Sequence, residues 1–310
     1  MLAGAGHDDV IPHDVLMWSP ADFTMAATYD VGSDFKTGLA VNADGSMMAV
    51  SFNYPFHEVH LFRLAPSFEQ VCVIGREGSG PAEFKYPCRL CFTDDDTIRV
   101  CDRDDNRLKQ FTVAGEYISS FIVQKPFSIA VHGDKIAVGT ADGPIEIHSL
   151  ATGELIRRFG SSGDGPAQIG GYASGIRFTP DGSCLLVAEN GNGRLTLFSS
   201  DGMLLKRIGA GLLAAGPKDV SFGAGGEIIA ADCGNHCISV FSADGDTLIK
   251  TLGEARTVDA LFKFPNSLAV AGSFLFVMDV SRRVCGFKWC VPCAYYAILV
   301  YCTQFALARF

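Results

Sequence analysis

The sequence predicts an all-β fold, a six-bladed β-propeller of four-stranded antiparallel blades. Two internal repeats predict it. A short apolar strand ending in a small or acidic residue recurs at Met48–Ser51, Ile98–Asp102, Ile136–Thr140, Leu185–Glu189, Ile228–Asp232 and Leu275–Asp279. From one strand end to the next the chain advances 38 to 51 residues, close to the roughly 40–45 residues of a propeller blade. The second repeat is a loop. Gly75-Arg-Glu-Gly-Ser-Gly-Pro-Ala-Glu-Phe84 returns 85 positions later as Gly160-Ser-Ser-Gly-Asp-Gly-Pro-Ala-Gln-Ile169, about two blades on.

Within each unit the order is constant. An apolar strand comes first, as in Leu39–Val41, Leu90–Phe92, Ser128–Val131, Gly175–Phe178, Asp219–Phe222 and Ser267–Val270. A turn follows, carrying Gly at Asp44-Gly45, Asp181-Gly182 and Gly225-Gly226, because Gly adopts turn conformations closed to other residues. The strand ending in the small or acidic residue is second. The third alternates, as in Leu195-Thr-Leu197-Phe198 and Ile238-Ser-Val240-Phe241, and a Gly-containing turn leads to a fourth. Such a meander cannot bury both faces alone, but radial stacking lets each sheet cover its neighbours.

The chain therefore divides into residues 1–35, a propeller over 36–289, and an apolar tail over 290–310. Phe23–Gly32 is expected to supply the outer strand of the last blade and close the ring; otherwise that blade is incomplete. After Phe287 the repeat breaks off. Cys290–Ala308 holds 19 residues without a charge, close to the roughly 20 of a membrane span. The alternatives are a tail anchor, a gene-model artefact such as a frameshift or retained intron, and a buried strand or helix. A membrane is a partner only if the tail is genuine.

Composition narrows the function. With 48% hydrophobic and 19% charged residues the chain is globular. A net charge of −9 weighs against nucleic acid or an anionic membrane as the main partner. Eleven Cys without framework spacing, no N-x-[ST] site and no signal-like N-terminus favour a reducing, cytoplasmic setting with free thiols.

The units resemble NHL repeats. Val100-Cys-Asp102-Arg-Asp-Asp-Asn106-Arg107-Leu108-Lys-Gln-Phe111 is similar to that family's strand, Asp, loop, Asn-Arg, strand pattern. Ala230-Ala-Asp232-Cys-Gly-Asn235-His236-Cys-Ile-Ser-Val-Phe241 follows it with His236 where Arg is usual. Leu186–Leu195 keeps Arg194 but has Glu189 for Asp and an inserted Gly, while residues 51–58 and 140–144 are blades by position only. The resemblance implies that the loops joining second to third strands, and those joining blades, form one face. That face would carry Arg76, Arg103, Asp104, Asn106, Arg107, Asn192, Arg194, Asn235, His236 and Arg282 as candidate binding residues. Mixed Asn and Arg suit peptide or phosphate recognition, since Arg forms bidentate bonds with planar anions. The competing reading for Asp102, Asp232, Arg107 and Arg194 is that they tie each blade's loop to its neighbour.

The resemblance implies a non-enzymatic scaffold for protein or peptide partners. Some relatives stand beside zinc modules in ubiquitin ligases; no such module precedes this propeller, so a recognition role within a ligase assembly is the most that follows. RNA binding is the first alternative, through Arg103, Arg107, Arg194, Arg282 and Arg283. A metal-dependent six-bladed hydrolase or lyase is the second. No P-loop, G-x-S-x-G elbow or dinucleotide fingerprint occurs, so no cofactor and no catalytic residue is assigned. The first strands, which would line the central channel, are apolar apart from Asp219, Arg177 and Arg89. Cys88-x-x-Cys91 has zinc-type spacing, but a strand would turn residues three apart to opposite faces. Cys233-x-x-His236-Cys237 lies in a loop and is better placed, and free thiols remain the preferred reading of both.

Overall fold

The computed structural model describes residues 36–64, 67–165, 167–214, 216–253, 262, 264–272 and 274–279, with strands Val15–Trp18, Met25–Thr28 and Arg283–Lys288 described as backbone alone. The 290–310 tail lies outside the described residues.

Five sheets are four-stranded antiparallel meanders. Blade 1 runs from Lys36–Val41 at the centre to Glu69–Ile74 at the rim, and blade 2 from Pro87–Phe92 to Tyr117–Ile122. Blade 3 runs from Pro126–His132 to Leu155–Phe159, blade 4 from Ala173–Phe178 to Leu204–Ile208, and blade 5 from Asp219–Phe222 to Leu248–Leu252. The six innermost strands, that of Pro265–Ala271 included, contact one another in a closed circuit.

The sixth sheet departs from the expected form. Pro265–Ala271, Phe274–Asp279 and Arg283–Lys288 pair antiparallel, with no fourth antiparallel strand beside them among the described residues. The free edge of Arg283–Lys288 is covered by Val15–Trp18 running parallel to it, and Met25–Thr28 forms the outer edge. The expectation of six four-stranded antiparallel blades is thus corrected to five, with a five-stranded mixed sheet in the remaining place. An open edge of unpaired backbone groups accepts whichever segment reaches it.

Apolar side chains fill the gaps between neighbouring sheets in discrete clusters. Leu90, Ile98 and Phe111 of blade 2 meet Leu61 and Ile74 of blade 1, and Phe62 and Val50 of blade 1 meet Phe276 and Met278 of the sixth sheet. The second strands are covered on both faces, which is why Ile98–Cys101 and Leu185–Ala188 are nearly or wholly buried. Each such Leu, Ile or Phe stabilises by roughly 1.5–3 kcal/mol. The rim strand Leu155–Phe159, exposed along most of its length, marks the outer limit of this packing.

Most innermost strands begin with a bulge, as between Pro87 and Leu90, Pro126 and Ser128, and Pro265 and Ser267. Proline fits the first strand position because no ladder bond needs its missing N–H. The bulge overturns one expectation. It puts Cys88 and Cys91 in the same cluster, against blade 3, and not on opposite faces.

Candidate functional site

The face holding the inter-blade loops and the loops between second and third strands is built on buried carboxylates. Asp102 ends the second strand of blade 2 and is 0% exposed. It accepts bonds from the backbone N–H of Lys85 (3.0 Å) and Tyr86 (2.8 Å), which belong to the loop arriving from blade 1. Glu189 takes the Gly170 N–H at 3.0 Å, Asp232 the Ala214 N–H at 3.2 Å and Asp279 the Phe264 N–H at 3.3 Å. Each acid therefore clamps the preceding inter-blade loop to its own blade.

How the acid is balanced differs. In blade 2, Lys109 is 1% exposed and its Nζ lies 2.9 Å from Asp102 and 3.0 Å from Asp105. In blade 4, Glu189 is met by Arg194 at 3.0 Å, by the Asn192 amide at 2.6 Å and by the Thr196 hydroxyl. In blade 5, Asp232 has only the Asn235 amide at 2.8 Å and a long contact from Ser239 at 3.4 Å. Burial pushes the carboxyls of Asp102 and Asp232 above the usual range, against the pull of these donors.

The structure changes the alignment of the three loops. Asn106 (φ 55°), Gly193 (φ 58°) and His236 (φ 57°) each precede the third strand in the left-handed conformation. That region is open to Gly and tolerated by Asn, which explains the first two residues. The Gly in blade 4 is thus no insertion: Gly193 holds the place of Asn106 and His236. Cys237, and not His236, holds the place of Arg107 and Arg194, each of which pairs with its strand-end acid.

The candidate residues separate accordingly. Asn192, Arg194 and Asn235 are tied to the strand-end acids, and Asn106 Oδ1 accepts the Lys125 N–H at 2.9 Å. Arg107 reaches Ser120 (3.4 Å) and Asp105 (3.5 Å) and stays partly exposed. Arg103 stacks 3.7 Å over the Tyr86 ring while pairing with Asp104 at 2.8 Å, a cation–π contact between half-buried side chains. Arg76 is largely exposed and pairs with Glu83 at 2.8 Å, closing the recurrent Gly-rich loop. That loop needs Gly75 at φ 94°, where a Cβ would strike the Phe84 ring. The His236 ring packs edge-on against Phe264, centroids 4.5 Å apart. Arg282 lies outside the described residues.

Sequence reasoning missed the aromatic part of this face. Tyr54 is 69% exposed, Phe56 42% and Phe264 46%, all in loops. The available signal was Tyr54-Pro55-Phe56, large aromatics in a segment that departs from the repeat and so has no core position to fill.

The channel is crossed inside. Arg89, from the innermost strand of blade 2, donates to Ser174 O (3.3 Å), Asp219 Oδ2 (3.3 Å), Lys218 O (2.8 Å) and Asn266 O. Asp219 also accepts from Ser267 Oγ (3.0 Å) and Leu268 N–H (2.9 Å). Two of the three polar exceptions on the first strands are therefore partners.

Burial pushes the thiols of Cys88 and Cys91 up to about 12 and that of Cys237 to about 11. Among the described residues no three His, Cys, Asp or Glu side chains converge as a metal site, and no helix is long and apolar enough to cross a membrane.

Among known families, the model of the NHL repeat matches residues 215–241, which span the first three strands of blade 5. No curated protein matches the chain.

Proposed function

We propose that the chain, an NHL-repeat protein folded as a β-propeller, is a binding scaffold that reads a protein or peptide on its loop face. The observation that carries this is a set of loop side chains, exposed Tyr54, Phe56 and Phe264 beside half-buried Arg103 stacked on Tyr86. Aromatic residues and Arg supply most binding hot spots, and the loops of Tyr86 and Phe264, clamped through Asp102 and Asp279, lose little freedom on binding. The sixth sheet serves as the sixth blade, with the N-terminal strands standing in for its rim.

The charge pattern supports a protein partner over RNA. Arg103, Arg107, Arg76, Arg194 and Lys85 each face a carboxylate within 3.5 Å, so the face is a mosaic of paired charges and not a basic track for phosphates.

The test is affinity capture from native lysate with the full chain, with and without ribonuclease, beside a Tyr54→Ala, Arg103→Ala, Phe264→Ala variant. Protein partners that survive ribonuclease and vanish with the variant are expected. Capture that collapses with ribonuclease, leaving recovered RNA, would replace this reading with the RNA one.

A further inference from the structure

The mouth of the channel opposite the loop face holds a cavity of about 130 Å³ that the proposed partner site does not use. It is lined by Val41, Phe92, Val270, Cys91, Ser221 and Arg177. Arg177 is half-buried and gives one bond, from Nη2 to the Leu268 carbonyl at 3.1 Å. Among the described residues no carboxylate pairs with it, since the one acid of the channel, Asp219, is taken by Arg89. Ser221 is 5% exposed, and its hydroxyl likewise makes no hydrogen bond to the described residues.

The channel thus carries two guanidiniums and one carboxylate. A half-buried cation without a counter-ion is costly, and an anion brought to it removes that cost. We propose that this cavity is a binding site for a small monocarboxylate with a short apolar body. The planar fork of Arg177 matches the two oxygens of a carboxylate, Ser221 adds a hydroxyl, and Val41, Phe92 and Val270 receive the alkyl part. A cavity of about 150 Å³ holds a benzene-sized molecule, so about six non-hydrogen atoms fit here. The turns between first and second strands at this end carry Asp44, Asp95 and Asp181, which repel a dianion more strongly than a monoanion.

The full chain is titrated with butyrate by calorimetry, with butyramide, succinate and inorganic phosphate as comparisons. Saturable one-to-one butyrate binding is expected, with butyramide about 10- to 100-fold weaker, as loss of a charged hydrogen-bond pair implies. Arg177→Gln keeps a donor for the Leu268 carbonyl and is expected to weaken butyrate at least tenfold. Val270→Phe fills the cavity without touching the cation, and decides the matter if Arg177→Gln does not fold; it is expected to abolish binding. No saturable butyrate binding, equal binding of butyramide, or unchanged affinity in a folded variant overturns the proposal. Phosphate or succinate binding as tightly as butyrate overturns the monocarboxylate assignment.

Discussion

The blades carry repeated aspartates at both ends, and the two sets behave in opposite ways. On the loop face, Asp102 and Asp232 are buried and accept backbone N–H bonds from a neighbouring loop. On the other face, Asp44, Asp181 and Asp244 close tight turns, accepting the N–H two residues on at 2.8, 3.1 and 3.0 Å. Burial dominates in the first set and raises the carboxyl. In the second, hydrogen bonds to the charged form dominate and lower it, Asp181 to about 2. One residue type within one repeat is thus a strained anion at one end and a comfortable one at the other, and solvent access makes the difference.

The largest effect expected from this contrast is at Lys109. Lys109→Met leaves Asp102 buried without its cation, while Asp105 keeps Lys85 and Arg107, and should cost about 3–5 kcal/mol, read as a fall in the urea midpoint. The matching change in blade 5, Ser239→Ala, should cost at most about 1.5 kcal/mol, because Asn235 still holds Asp232. Equal losses would show that the two clamps are equivalent and that Lys109 is ordinary packing.

The next effect is on pH dependence, where the two sets carry opposite signs. A carboxyl raised above its unfolded value of 3.8 gives stability that is present below pH 3.8 and lost as pH rises through its folded value. A lowered carboxyl gives stability present above pH 3.8 and lost as pH falls, for Asp181 toward about 2. Combined Asp44→Asn, Asp181→Asn and Asp244→Asn should therefore flatten stability between pH 4 and 2, measured by urea unfolding at each pH. Asp102→Asn should instead change the slope above pH 3.8. The smallest expected effect is that of Asp181→Asn alone, a shallower acid slope because the midpoint falls slightly above pH 4 and stays unchanged near pH 2. A steeper slope in the triple variant would mean that other acids govern the acid limb.

Much of this was legible in the sequence, because strand ends and turns declare themselves through residue type. Asp102 and Asp232 stood out by recurrence, and the competing reading that they tie a blade's loop to its neighbour describes their contacts. The alignment of the loops was less legible. The left-handed residue before the third strand is Asn106, Gly193 or His236, and no single residue type signals that conformation. The bulge at Pro87–Leu90 was invisible because strict alternation assumes a regular strand. The parallel strand Val15–Trp18 could not be foreseen, since a four-residue segment carries almost no periodicity. Phe23–Gly32 was expected at the outer edge, and Met25–Thr28 lies there, one strand further out than the repeat requires.

Arg89 bears on the order in which the chain can assemble. Its partners Ser174, Asp219 and Asn266 lie 85, 130 and 177 residues downstream. During synthesis blade 2 emerges with its guanidinium unmatched, and no nearby segment can satisfy it. The bond set forms only when three later sheets have arrived and the circle has closed. Partial rings therefore lack their central fastening, and the last steps of folding are long-range and concerted, placing this chain among slow folders for its size.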